Sequence, residues 1–458
     1  MNSPIHLTDN AEQIDNISRR QFLKQFALSG FVLAVGLPTL SLAEQLKYGV
    51  DAMPHGSVDN PLVFVAIAED GTVTIVCHRS EMGQGIRTSL PMVVADELEA
   101  DWSKVKIIQA PGDETRFGNQ DTDGSRSMRH FFMPMRRVGA AARQMLASAA
   151  AAQWQVAVNE VHAEQHHIIH NASGRRLSYG ELAQAASQLA VPSRENLQLK
   201  KPADFRYIGK GQQKSYDGQQ IVNGQAQYGI DTHMPKMLYA VIARPPAYGD
   251  RLLKFDARAA LKIPGVVKVV ELPSSPPPAE FNPLGGVAVI ARNTWAAIQG
   301  RKALKIDWQS GANGNYDSTQ YRANLEAAAR QPGKVVRQQG DVNAGLQAAS
   351  QQHSAEYYLP HLAQAPMEPP AATAEIKQGH CQIWTCTQAP QATRERVAKW
   401  LKLPLEQVTV NVTLLGGGFG RKSKPDYVIE AALLSQAMQG KAVKVTWTRE
   451  DDLQHSYF

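Results

Sequence analysis

Four short runs, far apart along the chain, hold residue types able to do chemistry. The sharpest is Gly416-Gly417-Gly418-Phe419-Gly420-Arg421-Lys422. Glycines free the backbone for positive φ and let a ligand approach the N–H groups. The run joins a strand pattern to a helix expected to start near Pro425, a residue favoured in the first helical turn. A helix N-terminus beside Arg421 and Lys422 suits a phosphate or pyrophosphate. The bland alternative is a tight turn with no ligand. A Walker A loop needs Gly directly before Lys, where Arg421 stands. A dinucleotide fingerprint begun at Gly416 needs its last Gly at that same position.

The second run is Glu81-Met82-Gly83-Gln84-Gly85, with Thr88 and Val94-Ala95-Asp96-Glu97-Leu98 beyond it. A glutamine amide both donates and accepts, so Gln84 on a sharp loop could hold an oxo or amide group. A helix-capping turn is the competing reading. The third run, Gly124-Ser125-Arg126-Ser127 with Arg129, is a polar turn that could contact phosphate or stand in solvent. The fourth pairs Ala365-Pro366-Met367-Glu368-Pro369-Pro370 with Thr385-Cys386-Thr387-Gln388-Ala389-Pro390-Gln391.

The elements that must position these runs alternate between strand and helix. Residues 62–78 predict a hairpin about Glu69-Asp70-Gly71. Helices are expected over Thr88–Leu98 and, Ala-rich, from Met133 to Trp154. Residues 155–215 are polar and poorly patterned, with a boundary near 200–215. From Gly218 to Trp308 strands at 237–243, 266–272, 286–291 and 304–308 alternate with helices at 256–261 and 294–303. A third unit follows a polar stretch at 310–340, with helices at 392–401 and 425–438 and strands at 408–412 and 442–448. The fold class expected is α/β, or α+β.

The 458 residues suggest two or three domains. Apolar residues at 43% and charged residues at 20% read as globular. The net charge is +6 without a long basic run, so nucleic acid is not an expected partner. The three cysteines, Cys77, Cys381 and Cys386, contain no CxxC pair and read as buried thiols; Cys381 and Cys386 could form one bridge. Ser18-Arg19-Arg20-Gln21-Phe22-Leu23-Lys24, an apolar stretch to Leu42 and the exit Ser41-Leu42-Ala43 predict a secretory signal over 1–43. The paired arginines resemble a twin-arginine signal, so the expected location is the periplasm or the periplasmic face of the inner membrane.

Taken together, the four runs resemble the xanthine oxidase family of molybdenum hydroxylases. Residues 213–310 resemble its hammerhead domain through Val222-Asn223-Gly224, Arg244-Pro245-Pro246 and Ile263-Pro264-Gly265-Val266. The Glu-Met-Gly-Gln-Gly run precedes that domain, as in the branch of isoquinoline oxidoreductases and membrane-associated aldehyde dehydrogenases. The resemblance implies a large-subunit fold with the signal at 1–43, molybdopterin-binding portions at 44–205 and 335–458, and the hammerhead domain between. It implies molybdopterin, as the cytosine dinucleotide, carrying molybdenum. Gln84, Gly85, Gly124, Ser125, Gln388, Gly417, Gly418, Phe419, Gly420 and Arg421 would contact it. The implied reaction puts a water-derived oxygen into a C–H bond of a small-molecule aldehyde or N-heteroaromatic. Electrons would leave through 2Fe–2S clusters on a small partner subunit, with a cytochrome c as a further partner.

The chain departs from the family at one point. The family's general base is a glutamate in a Val-Gly-Glu run near the C-terminus, and no such run is present, so no residue is assigned as base. Lacking a base, a rate loss of roughly 10²–10⁴-fold is expected. The expectation is a truncated molybdopterin-binding subunit, inactive alone: a fragment, a split gene whose second half is another chain, or a decayed copy. The alternatives are a non-catalytic cofactor-binding remnant and a phosphate-binding protein using only the glycine loop.

Overall fold

The computed structural model describes Met53 and residues 55–457; the expected signal at 1–43 lies outside the described residues. Strands β1 (Val65–Ile67), β2 (Val73–Cys77) and β3 (Val105–Gln109) form one sheet, antiparallel then parallel. The β1–β2 turn closes because Asp70 accepts the Thr72 N–H at 2.8 Å and Gly71 takes a φ of +86°. The expected first strand is shorter than its apolar pattern. Asn60 caps Leu62 and Pro61 starts a helical turn, so Pro61–Phe64 coils before β1 begins.

Two helices cover this sheet: α1 (Ile86–Leu98) and the 29-residue α2 (Arg126–Trp154). Helix α2 starts seven residues earlier than its alanine pattern, directly after Ser125. Phe131, Met135, Val138, Ala142, Met145 and Leu146 recur at helical spacing and are buried against α1 and the sheet. The stretch that looked unpatterned is ordered. It forms an antiparallel meander of β4 (Val161–Glu164), β5 (His167–His170) and β6 (Arg176–Ser178), then α3 (Tyr179–Ser187). Its short, histidine-rich strands hid the period-2 signal. A Ser178–Glu181 capping box starts α3.

The rest is built on one seven-stranded sheet. It takes β7 (Leu238–Ala243), β9 (Val266–Leu272) and β10 (Gly286–Ala291) from the middle of the chain. From the end it takes β12 (Ala371–Lys377), β13 (His380–Thr385), β14 (Val408–Val412) and β15 (Val443–Thr446). Its order is β14-β13-β12-β15-β7-β10-β9, and β15 runs parallel to β7. Hydrogen bonding therefore crosses the polar stretch that separates the second and third units in sequence. Helix α4 (Thr294–Lys302) packs on one face through Ala296 and Ala297; α5 (Pro390–Leu401) and α6 (Asp426–Ala437) cover the other. A separate ribbon pairs β8 (Arg251–Asp256) with β11 (Lys305–Gln309). Where a helix was expected over 256–261, only the 3-10 turn Ala260–Lys262 forms. All three cysteines are free and buried, and burial pushes each thiol up to about 12.

Candidate functional site

Glu81 organises the second run. Its carboxylate accepts the N–H groups of Gly83 (2.8 Å), Gly85 (3.0 Å) and Arg87 (2.9 Å), closing the turn and capping the start of α1. Gly83 and Gly85 sit at φ of +105° and +82°, which explains glycine at both positions. Gln84 lies exposed on this turn. Its Oε1 accepts the Met82 N–H at 2.8 Å and its Nε2 donates to the Ser80 carbonyl at 2.9 Å.

Gln388 is buried and joins its own run to the glycine run and to Thr122. Its Nε2 donates to the Thr122 carbonyl at 2.9 Å, and its Oε1 accepts the Gly420 N–H at 3.0 Å. Its own N–H donates to the Lys422 carbonyl, and its carbonyl accepts the Thr122 N–H. Gly418 brings in the second run: a Cβ there would stand 2.4 Å from Gln388 Oε1 and 3.0 Å from Met82 Sδ. Leu415 N–H donates to the Glu81 carbonyl at 2.9 Å, and Ser80 Oγ donates to the Thr387 carbonyl at 2.8 Å. Runs from opposite ends of the described chain thus meet at one place. Gly124 and Ser125, at φ of +46° and +56°, form the exposed turn between Thr122 and α2.

Phe419 stands at the tip of the glycine run with a φ of +52° and 68% of its surface exposed. A left-handed backbone costs a non-glycine residue about 1–2 kcal/mol. An exposed ring returns little of that by burial. Such local strain concentrates at ligand sites.

The two cations of the glycine run do not face an external anion, a correction to the phosphate reading. Arg421 is fully buried and forks onto Asp426 at 3.0 and 2.8 Å; its guanidinium lies 4.6 Å from the Trp447 ring centre. Lys422 is equally buried and donates to Glu368 at 2.7 Å. A 3-10 turn, Arg421–Ser423, separates the run from α6. Pro425 caps α6 from outside, and Asp426 fills its first turn. The positive end of the helix therefore already faces a carboxylate. A cation taken out of water must be paired, and here both partners come from within the fold. Arg421 consequently holds the loop in place.

Glu368 is saturated as well. Its Oε1 accepts the Ile230 N–H and its Oε2 the Gly416 N–H, each at 2.9 Å, in addition to Lys422. Asp96 and Glu97 are structural: Asp96 accepts the N–H groups of Arg206, Tyr207 and Ile208, and Glu97 lies between Arg136 and Arg143.

Sequence reasoning missed two contributors. The strap at Tyr228-Gly229-Ile230 lies against the site, and a Cβ on Gly229 would stand 3.1 Å from Cys386 Sγ. Its link to Glu368 is a backbone N–H, which leaves no sequence signal. Arg79 is the other. It is buried and donates to Ser127 Oγ (2.9 Å), to Asn119 Oδ1 (3.1 Å) and to the carbonyls of Asn119 and Asp121. Burial lowers its guanidinium to about 10, so it stays charged at neutral pH. It makes no direct carboxylate ion pair among the described residues, but the nearby charges of Asp121, Glu114 and Asp123 act on it.

The chain is similar to known proteins along most of its length. Two models of the molybdopterin cofactor-binding domain match the chain, one over residues 13–232 and the other over 327–457. The isoquinoline 1-oxidoreductase subunit beta of Brevundimonas diminuta is 31% identical, over 96% of this chain and 60% of its own length. The membrane-bound aldehyde dehydrogenase (pyrroloquinoline-quinone) of Gluconacetobacter polyoxogenes is 31% identical, over 98% of this chain and 58% of its own. The chain thus spans about three fifths of these two curated relatives. Among solved structures, quinoline 2-oxidoreductase from Pseudomonas putida 86 matches with 20% identity and a TM-score of 0.41, covering 52% of this chain and 34% of that one.

Proposed function

The chain belongs to the xanthine oxidase family of molybdopterin-binding subunits, and we propose that it is the cofactor-binding part of an oxidoreductase that hydroxylates an aldehyde or an N-heteroaromatic with oxygen derived from water. One observation carries the reading: Gly418 is packed between Gln388 and Met82, so three distant runs share one site.

The residues fit a molybdopterin, and the cytosine dinucleotide is the form that the family resemblance implies. Gly418 has no space for a side chain, Phe419 is held strained and exposed, and Gln84, its amide bonded to Met82 and Ser80, lies exposed on the same assembly. Gln84, Gln388 and the backbone of Gly417–Gly420 would hold the group, with the Gly124-Ser125 turn against the pterin. When bound, it supplies the two-electron oxidation and the oxygen transfer. This chain's residues bind, orient and exclude water.

Neither nearby carboxylate is free to take a proton. Glu81 accepts three backbone N–H groups, and Glu368 accepts two with Lys422. We therefore assign the proton acceptor to a polypeptide that joins this chain. The exposure of Val336 (90%), Tyr357 (89%) and Leu359 (87%) supports such a partner. A small 2Fe–2S subunit and a cytochrome c complete the electron path, and residues 213–310 correspond to the hammerhead domain. Export by the twin-arginine route places the complex in the periplasm.

The test is to purify the native complex, measure molybdenum and follow dye reduction with benzaldehyde and with isoquinoline. Stoichiometric molybdenum with turnover of either substrate is expected. A complex without molybdenum overturns the reading.

A further inference from the structure

One stretch in the middle of the chain is basic and also exposes apolar side chains. Residues 251–309 hold nine lysines and arginines and only four acids, against a net +6 for all 458 residues. The same stretch exposes Trp295 (68%), Leu253 (62%), Leu261 (52%) and Val267 (42%). Three of these four sit on elements that touch. The turn Ala260–Lys262 packs against β9 and α4. The Arg292 N–H donates to the Gly265 carbonyl at 2.8 Å, and Gly265 lies against Ala296, the neighbour of Trp295. Lys302 is seven residues from Trp295 in α4, two turns along the same helical face. Strand β9 ends the seven-stranded sheet with no neighbour on its outer side among the described residues. Lys262, Arg292, Lys302 and Lys305 are exposed and make no ion pair among the described residues.

Single exposed apolar side chains are ordinary. Several on touching elements, inside a basic stretch of the chain, form a patch. These side chains project from a turn, a strand edge and a helix face. They do not line the cleft at the foot of the proline-rich loop, which is walled by Tyr248, Asp250, Ser274, Ser275 and Leu284. Five of the nine cations are lysines. Lysine is depleted in protein–protein interfaces, but its stem can lie on apolar surface while the ammonium reaches anionic groups. Tryptophan favours the boundary between hydrocarbon and water. No helix of the described residues is long and apolar enough to cross a bilayer, so the contact these features suit is peripheral.

We propose that the face formed by Ala260–Lys262, β9 and the first turn of α4 rests on an anionic lipid surface. Trp295 and Leu261 enter the headgroup layer, and Lys262 and Lys302 meet lipid phosphates. This inference does not depend on the cofactor reading.

The experiment sediments the full chain with vesicles of phosphatidylcholine alone and of phosphatidylcholine mixed with phosphatidylglycerol. Binding is expected only with phosphatidylglycerol, and salt should release it. Trp295→Ser, and Lys262→Glu combined with Lys302→Glu, should each lower vesicle affinity about fivefold or more. All three side chains are exposed, so melting temperatures should not move. A wild-type chain that ignores phosphatidylglycerol vesicles overturns the proposal, as does Trp295→Ser bound at the wild-type level. If vesicles are ignored while an acidic protein is retained through Trp295, the face is a protein interface and the lipid assignment falls. Molybdenum content of the same preparations reports on the cofactor site separately.

Discussion

Lys422 and Glu368 form an ion pair at 2.7 Å with both side chains buried, 54 residues apart in sequence. The carboxylate also holds Gly416 and Ile230, so one pair fixes the glycine run and the strap beneath it. Glu368→Ala should destabilise the protein by about 3–5 kcal/mol, because it strands a buried ammonium. Lys422→Met in the same background should recover part of that loss in urea denaturation. No recovery would mean that the two backbone N–H contacts, not the charge, carry the effect.

Gly418 and Gly420 separate crowding from conformation. Gly418→Ala forces a methyl against Gln388 and Met82 and should strip molybdenum from the purified complex. Gly420→Ala meets open space but must hold a φ of +94°, so it should cost about 1 kcal/mol and retain the metal. Equal metal content in the two variants would contradict the packing argument.

Phe419→Gly tests the strained tip. Relief of about 1–2 kcal/mol of left-handed strain offsets about 0.5–1 kcal/mol of added chain entropy. Stability should therefore barely change while dye reduction falls. A variant with unchanged turnover removes Phe419 from the site.

Gly139→Ala probes the crossing of α1 and α2. Alanine favours helix by about 1 kcal/mol, but its Cβ would stand 2.5 Å from the Val94 carbonyl and 2.7 Å from Glu97 Cβ. Overpacking costs about 1–3 kcal/mol, so the net should be a loss and the melting temperature should drop. A more stable variant would show that the helices can part without cost.

Burial raises the Glu114 carboxyl to about 7, from 4.5 in the open chain; the Gln120 N–H and Arg79 pull it down, while Asp121 pushes it further up. The folded protein then holds this proton more tightly than the unfolded chain. The stability that follows is full below pH 4.5 and is lost as pH rises through about 7. The loss amounts to about 3 kcal/mol. Glu114→Gln should flatten the stability profile across that window. An unchanged slope would assign the pH dependence to other groups.

Local pattern was enough for several elements next to the site, though not for the start of α2. The helices at Pro390–Leu401 and Asp426–Ala437 and the strand at Val408–Val412 lie within two residues of their expected bounds, because periodicity, Pro and Gly act over a few residues. The four chemical runs were equally legible, since residue type and spacing are written in them. Partnership was not legible. Arg421 and Lys422 looked like ligands for an anion, and Asp426 and Glu368 claim them. Gln388 became a hub only when Thr122 and Gly420 were brought to it. The charge of a side chain is local, but whether it faces water, a ligand or a buried counter-charge is decided by what the fold packs against it.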